Sequence, residues 1–265
     1  MKIVVCIKQV PDTTDIKWTE HNTIQREGVE SVINPFDEYA LETAVRLKEK
    51  VDAQIHVISM GPPQAKEALA GAISVGCDEA YLISDKKFSG ADTIATARTL
   101  SGAIKEKFSD FDLIICGQYA VDGDTAQTGP SIAENLGIPQ VTYVTQIISV
   151  EDGYIIVKKE IEEGIETLRV KLPALICMQK CDYELRKALI SGHMKAQDYE
   201  INHYNHSDLN LEESLLGVKG SPTYVSKAFR PEQKTKGEIV KAEDKETTAK
   251  NILEKISTYT EEFKK

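Results

Sequence analysis

Four short apolar segments alternate with helix-like segments in the first 140 residues, and this alternation limits the folds open to the chain. The apolar segments are rich in Val and Ile and cover residues 2–10, 53–60, 79–84 and 112–117. Continuous apolar runs of this length are typical of strands that are buried on both faces. Because single helices separate them, the strands must pair in parallel with right-handed crossovers. The sequence therefore predicts an α/β fold with a doubly wound, mostly parallel, Rossmann-like sheet.

Two of the helices between these strands carry clear start signals. Asn34, Pro35 and Asp37 stand in the order expected for an N-cap, a first helical position and an acidic first turn. Another helix begins near Asp92, and its apolar residues recur every three or four positions.

The pattern changes to antiparallel β structure after residue 139. Residues 141–144, 154–157 and 167–172 read as strands, and tight-turn signals join them. They predict a β-meander that extends the sheet. Residues 174–178 then return as a short buried strand.

The C-terminal part of the chain has a different composition. Residues 199–244 are polar and hold too few apolar side chains for a core of their own, and residues 245–263 predict a final helix. We therefore expect an α/β domain over residues 1–198 and a C-terminal arm over residues 199–265 that lies on a partner subunit. A disordered tail is the alternative.

One loop, residues 121–130, has the composition of an anion-binding site. It follows the fourth strand, precedes a helix at residues 131–136, and contains Asp, Gly and Thr. Small residues at such a junction let backbone N–H groups approach an anion at the positive end of the helix. An ordinary turn is the alternative.

Several loops that follow strands meet at the carboxyl edge of a doubly wound sheet, where ligands bind. This convergence predicts a nucleotide, with its phosphate on the loop. The candidate binding residues are Cys6, Asn34, Pro35, Phe36, Asp37, Met60, Gly61, Asp122, Gly123, Asp124, Thr125, Ala126, Gln127, Thr128 and Gly129.

Charge and hydropathy exclude several classes of partner. The formal net charge of −10 argues against nucleic acid and anionic membranes, since the long-range field would repel both. No apolar stretch approaches the roughly 20 residues that span a bilayer, and the first residues lack a signal-peptide layout. We expect a cytoplasmic protein that does not insert into membranes.

The five cysteines suit a core better than a disulfide set or a metal site. Their number is odd, and several lie inside apolar runs. Cys177 and Cys181 are spaced like metal ligands, but no second pair accompanies them. The sequence predicts no metal site.

Four stretches resemble the beta subunit of electron transfer flavoproteins. They are residues 5–10, 34–38, 127–129 and 166–174, and the last is close to the signature of that family. The resemblance covers essentially the whole chain. It implies a heterodimer whose alpha subunit holds the redox FAD that is passed to dehydrogenases. In the common form of the family, the beta subunit holds AMP as a structural ligand.

Two further stretches resemble the flavin-bifurcating members of that family. Residues 122–127 read Asp-Gly-Asp-Thr-Ala-Gln, and residues 91–96 read Ala-Asp-Thr-Ile-Ala-Thr. The resemblance implies a second FAD in the AMP position, with NADH as hydride donor. One electron would go through the alpha-subunit FAD to an acyl-CoA dehydrogenase-type enzyme, the other to ferredoxin or flavodoxin. The chain would then be a subunit of an NADH-dependent oxidoreductase, with no catalytic side chain and no activity alone.

The same pattern gives a role to the start of the helix near Asp92. Thr93 and Thr96 lie in its first turn, where hydroxyls and free backbone N–H groups suit a pyrophosphate. With the family pattern, we expect Asp92, Thr93 and Thr96 to contact NADH. The alternative is that Asp92 caps the helix and both threonines face solvent.

Residues 185–196 resemble the recognition loop with which the family docks on its dehydrogenases. By position, Leu189 or Ile190 would be the apolar side chain that enters the partner. The Pro-Asn of many relatives is Ser191-Gly192 here, and the following lysine run is absent. A core turn of helix is the alternative.

Two other functions remain open from the sequence. One is the non-bifurcating subunit that holds structural AMP. The other is a stand-alone nucleotide-binding module of the stress-protein type, against which the C-terminal arm and the recognition loop argue, because an independent module needs neither.

Overall fold

A computed structural model describes residues 1–12, 31–226 and 244–262. The chain divides into two units, residues 1–228 and residues 229–265. Within the described residues, no helix is both long and apolar enough to cross a membrane.

Eleven strands and six α-helices make up the described residues. The strands are β1 (Lys2–Cys6), β2 (Gln9–Pro11), β3 (Ser31–Ile33), β4 (Gln54–Met60), β5 (Glu79–Ile83), β6 (Leu113–Gly117), β7 (Gln140–Glu151), β8 (Tyr154–Ile161), β9 (Gly164–Lys171), β10 (Ala174–Met178) and β11 (Asn202–Tyr204). The helices are α1 (Pro35–Lys48), α2 (Lys66–Ser74), α3 (Thr93–Lys107), α4 (Thr128–Leu136), α5 (Ile190–Asp198) and α6 (Lys245–Glu262). Short 3-10 helices cover Pro63–Ala65, Lys86–Phe88, His206–Asp208 and Glu213–Leu215.

Nine strands form one sheet in the order β11-β5-β4-β1-β6-β10-β7-β8-β9. The strands from β11 to β7 are parallel, and β8 and β9 continue the sheet as an antiparallel meander. The predicted doubly wound, mostly parallel sheet with a meander extension is confirmed. Strand β1 lies between β4 and β6, so the strand order reverses there, and the carboxyl ends beside such a reversal are the usual ligand site.

The core occupies both faces of the sheet. Helices α1 and α2 cover one face, and α3 and α4 cover the other. Four cysteines are buried in this core as free thiols, namely Cys6, Cys77, Cys116 and Cys177, and Cys181 is a half-buried free thiol. The prediction that the cysteines are core residues rather than a disulfide set is confirmed for these four.

The predicted single strand over residues 2–10 is wrong, because the chain leaves the sheet after Cys6. The backbone N–H of Lys8 donates to a carboxylate oxygen of Asp37 at 2.7 Å instead of continuing the ladder. Residues Gln9–Pro11 then pair with β3 in a separate two-stranded sheet.

Residues 199–226 belong to the first unit, although they are polar. Strand β11 adds to the edge of the sheet beside β5, which the sequence did not reveal. Leu209 and Leu216 are buried against the face covered by α3 and α4. This segment therefore uses an existing core rather than building its own.

Candidate nucleotide-binding site

The predicted loops meet at the carboxyl edge of the sheet. Strands β1, β4 and β6 end there, and α1, α3 and α4 begin there. Direct hydrogen bonds join the residues around β1 and β6 to the loop of residues 118–127, which we call the anion loop. Met60 and Gly61 lie on the same edge at the end of β4, where Met60 pairs with Ile83 of β5.

Asn34 holds the first half of the anion loop. Its side chain is fully buried, and its amide nitrogen donates to the carbonyl of Tyr119 at 2.9 Å while its amide oxygen accepts from the N–H of Val121 at 3.0 Å. The predicted N-cap position of Asn34 is confirmed, but its side chain makes no capping hydrogen bond. The backbone carbonyl of Asn34 instead accepts from Asp37 and Glu38 in the first turn of α1. The loop thus uses the polar atoms that a cap would have used.

Asp37 ties three elements together beneath the site. Its carboxylate accepts from the N–H of Lys8 at 2.7 Å and from the N–H of Gly117 at 3.2 Å, and the residue is only 6% exposed. Burial raises the pKa of Asp37 to about 7, against hydrogen bonds from Asn34, Lys8 and Gly117 that lower it. One carboxylate in the first turn of α1 therefore fixes the ends of β1 and β6.

Gly117 allows α1 to approach the end of β6. A Cβ atom on this residue would lie 2.7 Å from the backbone carbon of Phe36 and 2.8 Å from the nitrogen of Asp37. Backbone contacts of that kind cannot relax by side-chain rotation. The sequence reading did not select Gly117, because a glycine at the end of a strand resembles any other turn residue.

A surface ion pair closes the other side of the loop. The ammonium of Lys8 lies 2.6 and 2.7 Å from the two carboxylate oxygens of Asp122, and both side chains are partly exposed. The rings of Phe36 and Tyr119 pack 4.1 Å apart between centroids. Lys8 and Tyr119 were missed as candidates, although Lys8 lies within the family-like stretch of residues 5–10.

The tip of the anion loop is exposed and has an unusual backbone. Residues 122–125 are exposed, and Asp124 and Ala126 adopt left-handed conformations with φ of 49° and 54°. Non-glycine residues hold such angles at a cost of order 1–3 kcal/mol each, and they cluster where a ligand is bound. Within the tip, the N–H groups of Gly123 and Asp124 both donate to the carbonyl of Ala120, at 3.1 and 2.8 Å.

Two helix N-termini flank this loop. The hydroxyl of Thr93, the first residue of α3, donates to the side-chain oxygen of Gln127, which directly precedes α4, at 2.9 Å. Thr96 is half-buried one turn further along α3. Each N-terminus carries partial positive charge, so the pair suits a ligand with more than one phosphate.

Asp92 is the N-cap residue of α3, and its side chain accepts hydrogen bonds from the first turn of the helix. One carboxylate oxygen accepts from the N–H groups of Ile94 and Ala95, both at 3.0 Å. The other accepts from the N–H and the hydroxyl of Thr223 at 3.1 and 2.8 Å. Burial would raise the pKa of Asp92, but these hydrogen bonds outweigh it and hold the pKa below its ordinary value. Its carboxylate is thus already bonded within the chain, and contact with a ligand stays a prediction.

The floor beneath the site is apolar. Cys6, Cys116 and Cys177 lie in register on three neighbouring strands, and a Cβ on Gly129 would lie 2.5 Å from the sulfur of Cys177. Burial raises the pKa of Cys177 to about 12, and its thiol therefore stays protonated. Because Gly129 has no side chain, the start of α4 can pack directly against Cys177.

The segment predicted to bind a dehydrogenase is exposed. Leu189 and Ile190 are 75% and 81% exposed where α5 begins, and α5 has no buried residue. The alternative of a core turn is therefore wrong.

Comparison with known proteins gives consistent results along the chain. A family model described as electron transfer flavoprotein domain matches residues 21–209. The chain is 45% identical over 260 residues to the electron transfer flavoprotein subunit beta of Thermoanaerobacterium thermosaccharolyticum, covering 97% of this chain and 98% of the relative. It is 44% identical to the subunit of the same name from Clostridium acetobutylicum, covering 94% and 95%. It is 42% identical to the caffeyl-CoA reductase-Etf complex subunit CarD of Acetobacterium woodii, covering 97% and 98%.

Proposed function

The chain belongs to the beta-subunit family of electron transfer flavoproteins, and on that premise we propose that it binds FAD at the carboxyl edge of its sheet and receives hydride there from NADH. The electrons are then divided between the FAD of an alpha subunit, which serves an acyl-CoA dehydrogenase-type enzyme, and ferredoxin or flavodoxin. The observation that carries this proposal is the anion loop, held at both ends, left-handed at its tip and flanked by two helix N-termini.

The residues present fit the adenosine-phosphate half of such a cofactor. The left-handed backbone at Ala126 and the positive N-terminal ends of α3 and α4 suit phosphate groups. Phe36 and Tyr119 provide an apolar aromatic surface beside them. When bound, FAD supplies the redox chemistry, and the side chains bind it, orient it and exclude water.

The adenosine-phosphate half does not decide between FAD and AMP, because both ligands contain it. Residues 122–127 and 91–96 favour FAD through their resemblance to bifurcating members. Structural AMP is the second candidate, and it would reduce this subunit to a scaffold. The chain is 45% and 44% identical to two beta subunits over nearly its whole length, and this leaves no support for a stand-alone module.

Two surfaces suit the proposed partners. Ile252, Leu253 and Ile256 form an exposed apolar stripe on α6, which suits an arm that packs on an alpha subunit. Residues 227–243 of that predicted arm lie outside the described residues. Leu189 and Ile190 suit docking of a dehydrogenase, and the name of the relative from Acetobacterium woodii, which places it in a complex with caffeyl-CoA reductase, supports a partner that acts on CoA thioesters.

The cofactor content of the co-purified alpha–beta pair tests this proposal. After reconstitution with excess FAD, we expect two flavins per heterodimer, no AMP, and bleaching of the flavin absorbance by NADH. One flavin with one AMP would overturn the bifurcating function and leave the scaffold role.

Replacement of both first-turn threonines of α3 should impair the reaction with NADH. We expect Thr93→Ala with Thr96→Ala to raise the KM for NADH roughly tenfold, because hydrogen bonds to a charged phosphate contribute about 1.5–3 kcal/mol. Bound flavin should be retained, and stopped-flow reduction by NADH measures the effect. Thr167→Ala, on exposed strand β9, is the matched control. Unchanged NADH kinetics in the double variant would remove both threonines from the site.

A further inference from the structure

Three exposed apolar side chains form a surface that we call the docking patch: Leu189, Ile190 and Met194. They are 75%, 81% and 61% exposed. Helix α5, which carries two of them, has no fully buried residue, and Ala196 is its only apolar side chain that packs, partly buried, against the core. Other contacts must hold the patch in place.

Arg186, three residues before Leu189, makes the most extensive of these contacts. Its backbone N–H and its Nε both donate to Oε2 of Glu42 at 3.0 Å, and its Nη2 donates to Oε1 of Glu42 at 3.0 Å. Its Nη1 donates to Glu49 at 2.6 Å. Glu42 lies on α1 and is only 1% exposed, so this is a two-pronged ion pair with one partner buried.

Neighbouring contacts hold the carboxylate of Glu42 as an ion. Burial alone would raise the pKa of Glu42, but hydrogen bonds from Arg186 and Arg46 outweigh it and hold the pKa below its ordinary value. Arg46 also stacks 4.3 Å from the ring centroid of Tyr183, whose hydroxyl lies 2.7 Å from that of Thr43. The chain before the patch is therefore attached to α1 at two successive points.

The chain after the first patch residues is attached to a different helix. A Cβ on Gly192 would overlap the carbonyl oxygen of Ser74 at the end of α2, so the backbone of α5 lies directly against α2. The ammonium of Lys195 donates to the carbonyl of Cys77 at 2.9 Å. The patch is thus held from both sides by contacts that leave most of its own apolar surface exposed.

We propose that Arg186 is a positioning residue for partner docking. Through Glu42 it holds Leu189, Ile190 and Met194 in the arrangement in which they enter an apolar pocket of the dehydrogenase. A preformed patch binds more tightly because less conformational entropy is lost on association. Arginine is required because a lysine cannot form the forked contact with a carboxylate. This inference rests on the docking role proposed above.

A double-mutant cycle in the alpha–beta pair tests whether Arg186 acts by positioning the patch or contributes to partner binding independently of it. The variants are Arg186→Gln, Ile190→Ala and both together, and the readout is steady-state reduction of a purified acyl-CoA dehydrogenase. We expect each single variant to raise the KM for the flavoprotein about tenfold with kcat and flavin content unchanged. The double variant should raise the KM far less than a hundredfold, which is the product of the two single effects. The effects should not multiply because Arg186 acts through the patch. Arg186→Lys should recover little of the loss.

The control cycle uses Lys187→Gln with Ile190→Ala, since Lys187 is exposed and carries the same charge one residue away. In this control cycle, the KM of the double variant should change by the product of the two single-variant effects. An unchanged KM in Ile190→Ala would refute the docking role itself. A raised KM in Ile190→Ala that multiplies with the effect of Arg186→Gln would refute positioning and leave docking intact. If Arg186→Gln lowers flavin content or the thermal midpoint, Arg186→Lys replaces it in the same cycle.

Discussion

Replacing Gly117 with alanine is expected to destroy the ligand site and to cost about 3 kcal/mol of stability or more. The new Cβ would lie 2.7 Å from the backbone carbon of Phe36 and 2.8 Å from the nitrogen of Asp37, so α1 must move away from β6. Overpacking of this kind costs about 1–3 kcal/mol. Displacement of Asp37 would also leave the N–H of Gly117 without its acceptor, which costs about 1–3 kcal/mol more.

The thermal midpoint and bound-nucleotide content of the alpha–beta pair measure this effect. Gly123→Ala is the matched control, since a Cβ there meets nothing within 4 Å. It should keep the midpoint of the wild type. A Gly117→Ala variant with the midpoint and ligand content of the wild type would show that α1 does not pack on β6 in this way.

Replacing Asp37 with asparagine should change how stability depends on pH. The folded-state pKa of about 7 lies above the ordinary value of 3.8, so between these values the folded protein keeps a proton that the unfolded chain releases. The contribution of Asp37 to stability is therefore greatest at low pH and falls as pH rises towards 7. The slope is at most about 1.4 kcal/mol per pH unit for one proton. The amide of the variant has no such titrating proton, and its single oxygen cannot accept from both Lys8 and Gly117 as the carboxylate does.

Urea unfolding of the alpha–beta pair at pH 5, 6, 7 and 8 tests this expectation. The free energy of unfolding of wild type minus that of Asp37→Asn should fall as pH rises through 7. Parallel pH profiles would contradict it. Asp112→Asn is the control, because Asp112 accepts from the N–H of Lys2 at the opposite end of β1. It should cost stability without loss of bound nucleotide, whereas Asp37→Asn should weaken nucleotide binding.

The order of elements in the sheet could be predicted because strand and helix periodicities are local properties. Apolar runs at residues 53–60, 79–84 and 112–117 contain β4, β5 and β6, and Asp92 caps α3 within hydrogen-bond distance of its own first turn. Residues 121–127 of the anion loop were identifiable for the same reason, since they are consecutive.

Other features depend on contacts between residues far apart in the chain. The amide of Asn34 suits a helix cap equally well, and only the position of Tyr119 and Val121, more than 80 residues later, decides its partner. The ion pair of Arg186 with Glu42 spans 144 positions. The left-handed conformation of Ala126 has no compositional signal, because alanine favours the helical region. The sequence alone could not reveal these.

Helix α1 takes part in both proposed functions. Its first turn holds the ligand edge through Asp37, and Glu42, five positions later, holds the docking patch through Arg186. At 1.5 Å per residue these two attachments lie roughly 7.5 Å apart along one stiff axis. In the proposed complex, helix α1 would therefore set the distance between the nucleotide and the docked dehydrogenase. Exposed residues of the docking patch could then change during evolution to suit another dehydrogenase. The buried carboxylates of Asp37 and Glu42, which fix this distance, would stay unchanged.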